Sequence, residues 1–169
     1  MSHNSRKIIG KNIKNLRLAL GLSQLNFGTL VELSKATIVN IEGAKNGYNL
    51  NLIDKISDFT GYTLSQLSNE DFEHDSLIRE ILIERYRNQS YYKILEATPE
   101  IVFAVKYKLF GSDFFKSPKQ VKEIKEFFET FGWIYKGTSI SNVLKRRKKE
   151  ITITHHPTKS NANLYQKKI

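Results

Sequence analysis

No cysteine occurs in the 169 residues of this chain. That excludes disulfide staples, zinc–thiolate sites and thiol nucleophiles. The opening "MSHNSRKIIG" lacks the apolar core of a signal peptide, and no stretch approaches the length of a membrane span. The expectation is a cytoplasmic protein with no membrane partner. Histidine is equally uninformative. His3 and His74 are isolated, and His155 and His156 are neighbours in an alternating run. Adjacent strand residues point to opposite faces, and no carboxylate cluster supports the pair, so a metal site is not expected. There is no Gly-rich phosphate loop, no HExxH and no nucleophile with a spaced base. The expectation is a protein that is not an enzyme and needs no cofactor.

Positive charge is abundant. Lys and Arg number 27 against 17 Asp and Glu, a formal charge of +10. Such a balance suits a polyanionic partner and says nothing about fold. The charge is uneven. Residues 1–70 carry a net +3, residues 71–115 a net −2 and residues 116–169 a net +9. Two basic ends flank an acidic, apolar middle. Apolar residues make up 40% of the chain, enough for real cores.

The N-terminal 70 residues read as five helices. Ile9, Ile13, Leu16 and Leu20 form one helical face over 8–20, ended by Gly21. Ser23 caps a short helix over 24–30, and Leu25, Phe27 or Gly28, and Val31 offer its inward side. Ser34 caps a third over 35–42, where Ile38 and Ile41 face inward together. Lys35, Ala36, Thr37 and Asn40 then occupy the first turn and the opposite face. Asn49 caps a fourth helix with Leu52, Ile53, Ile56 and Phe59. Thr63 and Gln66 make a capping box for a fifth.

The residues Gly21-Leu22-Ser23-Gln24, Thr37-Ile38, Ile41-Glu42, Gly61, Leu64 and Leu67 resemble the lambda-repressor-like, Xre-type helix-turn-helix family over residues 7–68. Gly28 stands where the family has a small residue, and Glu32 stands at the turn where glycine is common, which predicts a strained positive φ. The arginines common on such recognition helices are absent. The resemblance implies a recognition helix in the major groove of duplex DNA. Gln24 would contact backbone or base, and Ser34, Lys35, Ala36, Thr37 and Asn40 would face the groove. Asn can pair bidentately with adenine, Lys can donate to guanine, and Ala or Thr methyls can touch thymine.

Residues 71–115 read as a helical bridge. Leu77, Ile78, Ile81, Leu82, Tyr86 and Ile94 cover more than one packing stripe. A second helix begins at Thr98-Pro99 and presents Ile101, Val102, Val105, Leu109 and Phe110. This segment serves either as a dimer interface or as the packing of one domain on the other.

Residues 116–169 read as a third, basic module. Ser117-Pro118-Lys119-Gln120 predicts a helix start with Pro at its first position, and Val121, Ile124, Phe127, Phe128 and Phe131 give its apolar face. Thr138 or Ser139 caps a further helix with Ile140, Val143 and Leu144. The alternating runs "EITIT" and "NLYQKK" around "HHPTKSNA" predict a β-hairpin. Helix, connection, basic helix and hairpin together resemble a winged helix-turn-helix over residues 100–169. The resemblance implies that Ser139, Ser141, Asn142, Lys145, Arg146 and Lys149 meet the groove or phosphates, and that Lys159, Lys167 and Lys168 reach the backbone or minor groove.

The expected whole is mostly α. It comprises a five-helix lambda-repressor-like domain over 1–70, a helical bridge over 71–115 and a winged-helix-like module with a β-hairpin over 116–169. The expected function is sequence-specific binding of double-stranded DNA by a homodimeric transcriptional regulator. The alternatives are an antitoxin-type protein that binds a partner toxin through the middle segment, and an RNA-binding protein working through the basic end.

Overall fold

Ile9, Ile13, Leu16 and Leu20 are all buried along α1 (His3–Ala19) and the residue after it. The computed structural model that shows this describes residues 3–44 and 49–168. It divides the chain into two units, residues 1–97 and 98–169. The molecule is mostly helical, with one small antiparallel sheet.

In the first unit, Gly21 (φ 67°) turns the chain out of α1. Ser23 accepts the Asn26 N–H and starts α2 (Gln24–Leu30). Phe27, Gly28 and Val31 are buried, whereas Leu25 is 58% exposed and takes no part in the inward side. Ser34 accepts the Thr37 N–H and starts α3 (Lys35–Gly43). Next comes α4 (Asn51–Thr60), preceded by Asn49, whose side-chain oxygen accepts the Asn51 N–H. Thr63 and Gln66 form the expected capping box at α5 (Leu64–Leu67). Buried Asn12 donates to the Leu67 and Asn69 carbonyls and so ties the far end of this run to α1.

Two glycines are dictated by close approach. A Cβ on Gly10 would lie 2.3 Å from the Ile41 carbonyl oxygen, so α1 and α3 could not meet. A Cβ on Gly28 would lie 2.6 Å from the Leu33 carbonyl oxygen. Gly28 lowers helix propensity, but it is the residue that lets α2 turn back under the segment leading to α3. Glu32, in that turn, takes φ 53°, the left-handed conformation that favours glycine.

The expected bridge of 71–115 is shared out between the units. Residues 71–97 join the first. They form α6 (Ile78–Arg85) and α7 (Lys93–Glu96), with a 3-10 turn at Ser90–Tyr92 in place of one long helix. Buried Arg79 donates to the carbonyls of Leu20, Leu95 and Ala97, joining the end of α1 to the end of α7. The Tyr86 hydroxyl donates to the Phe59 carbonyl, and the Phe59, Tyr86 and Tyr92 rings stack. Long-range contacts of this kind have no local signature, which is why the division after residue 97 was not legible.

Residues 98–115 join the second unit, whose first element is α8 (Ile101–Phe103), running on as a π-helical stretch over Ala104–Leu109. Ser117-Pro118-Lys119-Gln120 does not open a helix. Lys119 and Gln120 are extended and form β1, pairing with Tyr165 and Leu164. The helix α9 (Val121–Glu129) starts after Gln120, whose N–H donates to the Glu123 carboxylate at 2.8 Å. The expected cap is therefore displaced by three residues, because the pairing of 119–120 with the distant strand residues Tyr165 and Leu164 outweighs local preference. Then follow α10 (Gly137–Lys145), β2 (Ile151–His155) and β3 (Asn163–Lys167), the last two forming the expected hairpin. The sheet order is β1-β3-β2. Phe115, Ile124, Phe128, Ile140, Leu144, Ile151 and Tyr165 make the core. In the turn after α9, Phe131 is 44% exposed and stacks on Trp133, which also meets the Phe103 ring.

Among the described residues, no helix is long and apolar enough to cross a membrane.

Candidate nucleic-acid interface

The candidate surface of the first unit is built on α3. Ile38 and Ile41 are fully buried, and each contributes about 1.5–3 kcal/mol of burial that fixes the helix to the domain. Ser34, Lys35 and Ala36 are exposed, and Thr37 and Asn40 are half-buried on the outer side. These residues are therefore presented on the first turn and outer part of α3. Three of the expected contact residues, Ser34, Thr37 and Gln24, are already engaged. The Thr37 hydroxyl lies 2.8 Å from that of Ser34, so its methyl is the part left to offer. Gln24 donates from Nε2 to Glu42 Oε2 at 2.9 Å.

That last contact belongs to a buried network which the sequence reading missed. Arg17 pairs with Glu42 through Nε at 2.5 Å and Nη2 at 2.9 Å, and Nη1 donates to the Leu22 carbonyl. The Arg17 and Glu42 side chains are only 8% and 4% exposed. Glu42 thus neutralises a buried guanidinium and also orients Gln24. One amide N–H of Gln24 is held, leaving its second N–H and its oxygen for a ligand. A buried polar residue on each of two facing helices was the available signal. The pairing itself needed the close α1–α3 approach that Gly10 permits.

The candidate surface of the second unit is the outer side of α10. This helix begins at Gly137, ahead of the expected cap at Thr138 or Ser139. Ser139 and Ser141 are half-buried, and the Ser141 hydroxyl donates back to the Thr138 carbonyl. Asn142, Lys145 and Arg146 are exposed and line a cleft of about 840 Å³. Lys148, Lys168 and the stretch Ile151–Ile153 complete it. On the other flank of α10, Ser141 and Lys145 border a smaller cleft of about 330 Å³ with Lys122 and Asn163. Exposed α10 side chains therefore form a ridge between two clefts, with cations in both.

The run Lys145-Arg146-Arg147-Lys148-Lys149 does not share a helix, because α10 ends at Lys145. Arg147 turns inward. Its guanidinium pairs with Glu150 at 2.9 Å and lies 5.5 Å from the Phe110 ring centroid. Lys149 is exposed but does not line the large cleft. Lys159 is drawn back from the hairpin tip, donating to the Gln120 side-chain oxygen at 3.0 Å. Lys167 donates to the Phe110 carbonyl and Lys168 to the Lys148 carbonyl. Lys148 and Lys122 are cleft residues that sequence reasoning did not select, and Lys168, expected at the base of the wing, joins Lys148 in the large cleft.

Among the described residues, no three His, Asp or Glu side chains gather as a metal site. No family model matches the chain, and no curated protein and no solved structure matches it.

Proposed function

We propose that this protein binds duplex DNA in a sequence-specific way and acts as a transcriptional regulator, with α3 reading bases and the second unit adding phosphate contacts. The observation that carries the reading is the construction of α3. It is capped by Ser34, anchored by Ile38 and Ile41, and offers Lys35, Ala36, Thr37 and Asn40 on its first turn and outer part beside an oriented Gln24. A helix fixed by its inner face and polar on its outer face is what major-groove readout needs. The run α1–α5, with α2 and α3 as the helix pair, supports a lambda-repressor-like domain. The order helix, β1, α9, α10, β2, β3, with sheet order β1-β3-β2, supports a winged-helix module. There the α10 ridge would lie in the groove, and the flanking clefts would meet the two phosphate strands.

The deciding experiment is selection of bound sequences from a random duplex pool, followed by Asn40→Ala on the selected site. Asn40→Ala should cost about 1–3 kcal/mol on that site and much less on random duplex. Equal losses on both would reject base reading by Asn40, and failure to enrich any sequence would reject the function.

Self-association belongs to the same proposal. Leu77 (58% exposed) and Ile81 (38% exposed) lie one turn apart at the start of α6, and an apolar pair left in solvent suits a dimer contact. Light scattering at micromolar concentration should give a dimer, and Leu77→Glu should give a monomer with unchanged circular dichroism. A wild-type monomer, both free and on DNA, would remove the dimer from the reading.

A further inference from the structure

In an antiparallel ladder each residue sends its N–H and C=O to the same side, and successive residues alternate sides. Beyond the two ends of β2, the Lys168 N–H donates to the Glu150 carbonyl and the His156 N–H to the Ala162 carbonyl, both at 2.9 Å. Register is continuous between them. Glu150, Thr152, Thr154 and His156 therefore face β3, and Ile151, Ile153 and His155 face away from it. Among the described residues, the sheet order leaves that outer side of β2 without a strand. The Ile151 N–H is taken by the Arg147 carbonyl, and Ile153 presents both its N–H and its C=O outward.

The outer side opens on the large cleft. Ile151, Thr152 and Ile153 all line it, although they are consecutive. A cleft over one face of the sheet would meet alternate residues only. Its wall is thus a backbone edge, and its cations are Lys145, Arg146, Lys148 and Lys168.

We propose that this edge docks an extended, acidic segment of a partner protein, which adds as a fourth strand to β2 and sets its carboxylates against those four cations. Main-chain pairing supplies affinity and the charges supply selection. Two alternatives fit less well. A phosphodiester backbone can meet the four cations, as in the proposed DNA complex, but it has no N–H to give the Ile153 carbonyl and leaves the strand edge unpaired. A second copy of the same edge would bring four cations against four, the repulsion that keeps edge strands apart. Lys145 and Arg146 are also cations that the proposed DNA complex uses, so an acidic strand and DNA would exclude one another from the second unit.

The probe is a blocked synthetic hexapeptide alternating glutamate and valine, added to the full chain and followed by amide NMR. Its control is the same peptide N-methylated at the amides that would face β2, with charge unchanged. The expected result is saturable binding that slows exchange of the Ile153 amide, with the N-methylated peptide weaker by about tenfold or more, since each lost main-chain bond is left unreplaced. A Lys148→Glu, Lys168→Glu variant of unchanged circular dichroism should lose binding to a similar degree. Equal binding of the two peptides would reduce the effect to charge and overturn edge pairing. Absence of saturation would overturn the site. Protection of the Ile153 amide by random duplex, and not by the peptide, would assign the cleft to nucleic acid.

Discussion

Glu42 holds two unlike neighbours with one carboxylate: Oε1 faces the Arg17 guanidinium, and Oε2 takes both Arg17 and Gln24. Removing one partner of a buried pair leaves an uncompensated charge, which costs about 3–5 kcal/mol. Glu42→Ala should lower the stability of the first unit by that order in urea denaturation. A loss below about 1 kcal/mol would mean that water reaches Arg17 readily. Glycine gives the opposite lesson about propensity. Gly28→Ala should gain up to about 1 kcal/mol as a helix residue, yet its Cβ would meet the Leu33 carbonyl oxygen at 2.6 Å. Overpacking of that kind costs about 1–3 kcal/mol, so the melting temperature should fall. A rise would show that the turn relaxes freely. Glu32 is the reverse case. Its positive φ costs about 1–2 kcal/mol in a residue with a Cβ, and its ion pair with Lys55 is exposed and worth little. Glu32→Gly should therefore raise the melting temperature of the first unit. Caps at Ser23, Ser34 and Thr63 were legible because each acts within three residues. The Arg17–Glu42–Gln24 network was not, because it joins three helices.

Helices α2, α3 and α10 were legible as elements, since each combines apolar positions at helical spacing with a candidate capping residue before them. The start of α9 was misread because a two-residue strand leaves almost no pattern of its own and is defined by β3. The end of α10 mattered more. A run of five cations looked continuous in sequence, but only Lys145 lies within the helix, and Arg147 faces Glu150 and Phe110. That separates two roles within one run. Changing Lys145, Arg146 and Lys149 to Ala should flatten the slope of log affinity against log salt by up to about 3, near 0.9 per phosphate contact, and weaken all duplex sequences alike. Arg147→Ala should leave that slope unchanged. It should instead lower the melting temperature of the second unit through its lost ion pair and ring contact. Titrations of duplex DNA across a salt series, with calorimetry, distinguish the two. An unchanged slope in the triple variant would remove the second unit from the DNA complex.

At the scale of the whole chain, the division between Ala97 and Thr98 explains what composition could not. The net +9 of the C-terminal end is unaltered when 98–115 is added, because Lys106 and Lys108 offset Glu100 and Asp113. Charge therefore gave no sign of this division. Arg79 does mark it, since its guanidinium closes the first unit on the carbonyls of Leu95 and Ala97. A fragment of residues 1–97 should unfold in one cooperative transition, as small domains do. A fragment of residues 1–70 lacks Arg79 and the ring stack on Phe59, and it should melt well below the longer one. Equal melting temperatures for the two would make 71–97 an appendage rather than part of the fold.

The chain has a single tryptophan, Trp133, seated against Phe131 and Phe103 in the second unit. Excited at wavelengths where tyrosine is transparent, the protein emits light from that unit alone. Loss of the Trp133 stack then reports the opening of the second unit, whereas tyrosine emission mixes both units, since Tyr107, Tyr135 and Tyr165 lie in the second as well. The second unit is in effect labelled for optical work without any dye, and its opening can be followed by tryptophan emission in a melting experiment on the whole chain.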